Sequence, residues 1–176
     1  MTGVVERIEI VLGDITEQKV DAIVNAANTT LLGGGGVDGA IHRAAGPELL
    51  RECKQLGGCS TGEAKITQGY NLHAKYVIHT VGPVWGGGKS REEELLRNCY
   101  LNTLKLAKQY GAQTVAFPSI STGAYRFPIE RAAKIALNSI IAFLDAEITV
   151  KRVTIVCFSN ADLQVYKREL SQLKQS

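Results

Sequence analysis

The sequence predicts an α/β sandwich with a largely central sheet. Short runs rich in β-branched residues alternate along the chain with longer stretches of helical periodicity. The last run, Arg152 to Phe158, is apolar through its centre, as a strand buried on both faces is. The polar or glycine-rich segments Asn25–Asp38, Gly82–Lys89 and Ser119–Tyr125 each follow a strand, the place where α/β sheets bind ligands. A chain of 176 residues, 45% of them hydrophobic, can fill the core of one domain spanning 1–176.

Arg7–Leu12 (RIEIVL) is the first predicted strand; it ends at Gly13-Asp14, and Asp14-Ile15-Thr16 opens a short turn. Ala22–Val24 is the second. The chain then turns polar at Asn25 and Asn28, passes the four glycines Gly33–Gly36, and enters a helix from Gly39 to Ala45 that opens on Asp38. Gly46-Pro47 ends that helix, and Pro47 suits the start of the next, Glu48–Leu56. Lys65–Tyr70 and Tyr76–Val81 are two further strands. Beyond the loop Gly82–Gly88, Ser90 is the predicted N-cap of a helix running to about Tyr110. Glu92, Glu93 and Glu94 suit its positive end, and Leu95, Leu96, Tyr100, Leu104 and Ala107 recur near helical spacing. Thr114–Phe117 is a strand, and a helix runs from Pro128 to about Leu144. After the strand Arg152–Phe158, Asp162 is the predicted cap of a final helix to about Leu173.

Several classes of function are disfavoured. A membrane span needs about 18 or more consecutive apolar residues, and none occur. The N-terminal MTGVVERIEIVLGD lacks the basic and apolar regions of a signal peptide, which points to the cytoplasm. Cys53, Cys59, Cys99 and Cys157 show no CxxC spacing and read as buried thiols; no zinc site, metal or cofactor is expected. The net charge of +3, from 20 basic and 17 acidic residues, contains no basic block of a dedicated nucleic-acid binder. Without a sustained heptad or an apolar surface segment, a monomer is expected.

Gly34-Gly35-Gly36-Val37-Asp38-Gly39 matches GxGxxG, but a dinucleotide fold needs those glycines at the first strand-to-helix turn and an acid about 20 residues later. Here that later position falls in the Gly57–Ser60 loop. Gly88-Lys89-Ser90 resembles the end of a phosphate-binding loop, yet Pro83 stands where its first glycine belongs. No GxSxG elbow exists. His79, inside an apolar strand, reads as a satisfied interior histidine. Two readings of Asp38 stand at this level: the cap of the helix that follows, or a functional carboxylate beside a glycine cradle. Asn25 and Asn28 likewise read either as amides tying down the loop or as ligand contacts.

These residues, with their neighbours, resemble the macrodomain family, in particular its MacroD-type branch of ADP-ribose hydrolases. The resemblance rests on Gly13-Asp14-Ile15-Thr16, Asp21–Asn28, Leu31–Pro47, His79–Trp85 and Phe117–Pro128, and spans roughly Ile8 to Leu170. Asn28 followed after six residues by Gly35-Gly36-Val37-Asp38 is the signature of the hydrolytic branch; the second signature is Ser121-Thr122-Gly123-Ala124-Tyr125.

The resemblance implies a three-layer α/β/α sandwich with a mixed sheet and an ADP-ribose cleft above the strand ends. Asp14 would take the adenine amino group, assisted by the Ile15 backbone, with Phe158 against the ring and Asn160 nearby. The diphosphate would lie between Gly35-Gly36-Val37 and Ser121–Tyr125, a cradle of backbone N–H groups that needs no lysine. Asn28 would bind distal-ribose hydroxyls, Asp38 would orient or deprotonate the attacking water, and Tyr125 would close over the ribose. The implied substrates are mono-ADP-ribosylated proteins and O-acetyl-ADP-ribose, with ADP-ribosylated nucleic-acid ends a further one. The alternatives are a non-catalytic reader of ADP-ribose and, disfavoured by spacing, a dinucleotide-dependent oxidoreductase. The chain departs from many relatives at Arg126, which they often replace by glycine; it reads either as a charge offered to substrate or as a solvated arginine.

Overall fold

Six strands form one sheet: β1 (Ile8–Leu12), β2 (Ala22–Ala26), β3 (Ala64–Gln68), β4 (Tyr76–Thr80), β5 (Thr114–Phe117) and β6 (Arg152–Cys157), in the order β1-β6-β5-β2-β4-β3. Five run parallel, and β3, at one edge, pairs antiparallel with β4. The structure is a computed structural model that describes residues 2–175. Met1 and Ser176, the two ends of the predicted domain 1–176, lie outside the described residues.

Side chains alternate between two cores, as the two-residue period of a strand requires. Ala22, Val24, Ile78, Val115, Phe117, Val153 and Ile155 enter one core. It is closed by α1 (Thr2–Val5), α4 (Glu92–Gln109), α5 (Ile129–Asp145) and α6 (Asn160–Lys174). Ile23, Val77, Ala116 and Val156 enter the other, closed by α2 (Gly36–Ala45) and α3 (Pro47–Leu56) through Ile41, Leu49 and Cys53. Each fully buried aliphatic side chain contributes roughly 1.5–3 kcal/mol relative to exposure. The result is the three-layer sandwich with a mixed sheet. All four cysteines are free and buried.

Several boundaries differ from expectation. β2 continues through Asn25 and Ala26, which pair in register with His79 and Thr80; the buried Asn25 Nδ2 finds acceptors in Asp38 and His79, while among the described residues its Oδ1 has none. β3 stops at Gln68 rather than Tyr70 because Gly69 turns the hairpin, its N–H donating to the Lys75 carbonyl; a Cβ there would lie 2.0 Å from the Ala74 carbonyl oxygen. α2 begins at Gly36, not Gly39, so Asp38 sits inside its first turn. Ser90 is not the cap of α4. That position belongs to Arg91, in the left-handed region at φ 62°, while the Glu92 carboxylate folds back to accept the N–H groups of Gly86, Gly88 and Ser90. Those donors, Gly86 first, hold the carboxyl well below its usual value, at about 2. Asp162 does not cap α6; Ser159 does, its hydroxyl accepting the Asp162 N–H at 3.2 Å. The short helix α1 has no counterpart among the predicted elements.

Candidate functional site

The five parallel strands end along one edge of the sheet, and four of the segments that follow them carry the predicted site residues. Beyond β1 and β6 the chains stay side by side, with the Gly13 N–H donating to the Cys157 carbonyl. Asp14 and Phe158 are therefore brought together from opposite ends of the sequence. Asp14 Oδ1 accepts the N–H and hydroxyl of Thr16 at 2.9 and 2.7 Å, which shapes the short 3-10 turn Ile15–Glu17 over the buried Ile15 side chain. Phe158, one residue past β6, is 95% exposed. A phenylalanine ring without cover beside an acceptor is an arrangement that favours a planar, amine-bearing ligand. Asn160 opens α6 nearby, exposed.

The glycine segment after β2 is shaped by Asn28 and Asp38. Asn28 Nδ2 donates to the Gly33 carbonyl at 2.9 Å, and its Oδ1 accepts from the Thr30 backbone and hydroxyl. The amide thus ties down the loop. A Cβ placed on Gly34 would lie 3.2 Å from Asp38 Oδ2 and 3.4 Å from Asn28 Nδ2, so the two side chains flank one residue. Gly35 and Gly36 are exposed, and the first N–H groups of the ten-residue helix α2 are presented there with the positive end of its dipole. Val37, half-buried, completes the turn.

The helix-cap reading of Asp38 is overturned. Gly35 is the cap residue and no side chain caps the helix. Asp38 is 4% exposed, and its Oδ1 accepts from Asn25 Nδ2 at 2.9 Å, with His42 Nε2 at 3.4 Å. Its other oxygen, Oδ2, is the one on the side of Gly34, where Asn28 Nδ2 also lies. A buried carboxylate with one oxygen held and the other facing the glycine segment is suited to orienting or accepting a proton from a small hydroxylic molecule.

The third segment follows β5. Ser121 adopts φ 68°, is buried, and its Oγ has no hydrogen-bond partner among the described residues. Its side chain lies against Gly82, where a Cβ would come within 2.1 Å of that oxygen. The Ser121 carbonyl accepts the Phe127 N–H, and the Tyr125 carbonyl accepts the Trp85 N–H, joining this segment to the Gly82–Lys89 loop. A hydroxyl chain, Thr122 to Ser119 to Tyr166, anchors it on α6. Gly123 and Ala124 are exposed at its tip, Tyr125 is half-buried, and Arg126 is exposed at φ 61°. Two backbone-rich segments, Gly35–Val37 and Ser121–Tyr125, thus stand at the same edge of the sheet.

A cavity of about 480 Å³ adjoins the site on its α2 side, lined by Leu32, Gly33, Gly34, His42 and Arg43 among others. Among the described residues no group of three or more His, Cys, Asp or Glu is placed to hold a metal ion. The sequence left Asn25 open between a loop-tying amide and a ligand contact, and it did not single out His42. For His42 a signal was present, since it stands four residues after Asp38 and shares its helix face.

The Macro domain family profile matches residues 24–136. A macro domain-containing protein of Methanosarcina mazei is 59% identical over 96% of this chain and 90% of its own length. ADP-ribose glycohydrolase MACROD2 of Xenopus laevis is 53% identical over 95% of this chain and 40% of its own length. A variant of the Oceanobacillus iheyensis macrodomain solved with ADPR superimposes with a TM-score of 0.92 at 49% identity, covering 96% of this chain and 94% of that one.

Proposed function

This chain belongs to the macro domain family, and from that premise we propose that it binds ADP-ribose and hydrolyses the ester on the distal ribose. Its substrates are proteins mono-ADP-ribosylated on acidic side chains and O-acetyl-ADP-ribose; phosphate-linked ADP-ribose at nucleic-acid ends is a further one. The observation that carries the reading is the disposition of Asp38. It is buried, free of any capping duty, held through Oδ1, and presents Oδ2 on the side of Gly34 and of the exposed glycine turn at a helix N-terminus.

The adenine stacks on Phe158 and its amino group donates to Asp14. The diphosphate takes backbone N–H groups of Gly35–Val37 and of Ser121–Tyr125, where uncharged donors stabilise the anion without displacing a salt-bridge partner. Asn28 orients the distal-ribose hydroxyls. On the protein-linked substrate, water held by Asp38 Oδ2 attacks the anomeric carbon; the bond to the protein's carboxyl oxygen breaks, its electron pair leaves with the carboxylate, and Asp38 takes the proton from water. On O-acetyl-ADP-ribose the same water attacks the acetyl carbonyl carbon, the bond to the ribose oxygen breaks, that oxygen takes the proton back from Asp38, and acetate is released. A general base of this kind supplies about 10² to 10⁴ in rate. Tyr125 closes over the ribose.

A reader without turnover is the second reading, and one observation favours it: the Asn28 amide is already engaged by Gly33 and Thr30. The experiment compares this chain with Asp38→Ala for release of ADP-ribose from a glutamate-modified protein, alongside binding of free ADP-ribose and thermal stability. A fall in turnover of about 10²-fold or more, with binding and folding retained, supports hydrolysis at Asp38. Binding with no release and no deacetylation by the unaltered chain leaves the reader.

A further inference from the structure

Asp38 does not stand on its own helix alone. A row of buried polar side chains reaches it across three strands, on the face covered by α2 and α3. Asn25 of β2 and His79 of β4 are register partners, both fully buried. Asn25 Nδ2 lies 2.9 Å from Asp38 Oδ1 and 3.1 Å from His79 Nδ1. His79 Nε2 lies 2.9 Å from Oγ1 of Thr67, a buried residue of the edge strand β3. Thr67 Oγ1 in turn reaches the Gln68 carbonyl at 3.1 Å.

The proton positions in this row follow from its two ends. An ionised carboxylate only accepts, so the Asn25 atom facing Asp38 is nitrogen. That same nitrogen faces His79 Nδ1, which must therefore accept. The imidazole is then neutral with its proton on Nε2, donated to Thr67, and the Thr67 hydroxyl donates to the backbone carbonyl of Gln68. The donors run outward from Asn25, to Asp38 on one side and through His79 and Thr67 to Gln68 on the other. Reversing Asn25 would set its oxygen against Asp38 Oδ1, and protonating Nδ1 would set donor against donor. Burial supports the neutral ring, pushing His79 down to about 3, with the facing His42 adding to the shift. The polar side chains within hydrogen-bond reach of the ring, among the described residues, are Asn25, Thr67 and the Cys53 thiol, the last at 3.8 Å.

We propose that His79 is a positioning residue for the hydrolytic step. Its Nδ1 lone pair locks the Asn25 amide in one orientation, so that Asn25 Nδ2 holds Asp38 Oδ1 and Oδ2 is left for water. The inference rests on the hydrolase reading above. A histidine that merely fills and satisfies the interior would have no such directional role.

The test separates the two ring nitrogens. In His79→Asn the side-chain oxygen stands where Nδ1 stands and accepts from Asn25, while the link to Thr67 is lost. In His79→Gln the amide reaches the Nε2 level and leaves Asn25 without an acceptor. His79→Leu removes both. The three are compared for kcat on a glutamate-modified protein, affinity for free ADP-ribose, and melting temperature. The expected result is a kcat lowered about 10- to 100-fold in the Gln and Leu variants, with the Asn variant within about threefold of the unaltered chain and ADP-ribose affinity little changed in all. Equal kcat in the Asn and Leu variants, or kcat that follows melting temperature alone, overturns the proposal. Should the Leu and Gln variants not fold, nitrogen NMR of the unaltered chain at pH 7 decides: a bare Nδ1 with the proton on Nε2 supports it, and any proton on Nδ1 overturns it. If the unaltered chain binds ADP-ribose but releases none, the hydrolase reading itself has failed. That outcome is distinct from active His79 variants.

Discussion

Gly39→Ala tests whether the close approach of α2 to its preceding loop sets the geometry of the site. Gly39 lies in the first turns of α2, and a Cβ on it would stand 2.6 Å from the Gly34 carbonyl oxygen and 3.1 Å from Arg43 Nη1. Arg43 is a flexible, exposed side chain and can move away; the Gly34 oxygen is backbone. Ordinary contact begins at 3.4 Å, so Gly34 must retreat by 3.4 − 2.6, about 0.8 Å. Alanine gains about 1 kcal/mol over glycine in a helix, and overpacking costs about 1–3 kcal/mol. The net loss is about 0–2 kcal/mol, a fall in Tm of at most about 8 °C for a chain of this size. Function is more exposed, because Gly34 lies between Asn28 Nδ2 and Asp38 Oδ2, each within 3.4 Å of its Cβ position. A displacement near 1 Å at reacting groups lowers rate by about 10²-fold. The assay is release of ADP-ribose from a modified protein, with a melt beside it. Gly3→Ala is the control, since Gly3 is also helical and has nothing within 4 Å of its Cβ position. A folded Gly39→Ala protein with unchanged turnover and ADP-ribose affinity refutes the claim that this contact positions the pair.

Phe158→Ala removes a ring that is 95% exposed and so leaves Tm unchanged, while ADP-ribose affinity measured by calorimetry falls about 5- to 150-fold, the equivalent of one base stack. Glu92→Gln removes a carboxyl whose folded value, about 2, lies below its ordinary 4.5. Its stabilising contribution is complete above pH 4.5 and is lost as pH falls toward 2, so denaturant melts of the Gln variant show a flatter acid limb in that window. His79 is lowered from 6.5 to about 3, so the unfolded chain binds a proton there that the folded chain refuses. Stability therefore falls as pH drops from 6.5 toward 3. His79→Asn removes that slope, most visibly between pH 6.5 and 4.5, where Glu92 does not yet contribute.

Much of the architecture was legible because strands buried on both faces and helices with one apolar face leave different periodicities. Arg152–Phe158, Thr114–Phe117 and the Leu95–Ala107 series show this plainly. Caps were less legible. Ser90 and Asp162 have the composition of N-caps, but which side chain reaches the free N–H groups depends on how the preceding loop approaches. At α4 that loop is folded around Glu92, and at α6 the strand delivers Ser159 instead. The asparagine of β2 was misplaced for a related reason. Polarity at Asn25 signals a strand end locally, yet β4 supplies a partner for its amide that no local rule contains.

For the site, the sequence by itself determined the chemistry on offer. It held an acid and an amide around four glycines, a second backbone-rich segment at Ser121–Tyr125, and an aromatic at the end of the last strand. Only the tertiary structure decided the assignments, because hydrogen-bond direction and burial are properties of neighbours rather than of residue types. It showed that Asp38 is not a cap, that its two oxygens differ, and that the segments carrying Asp14 and Phe158 leave the sheet side by side although 144 residues apart in the chain. It also showed that an interior histidine on β4 is wired to the carboxylate on α2 through Asn25, a link made by strand register.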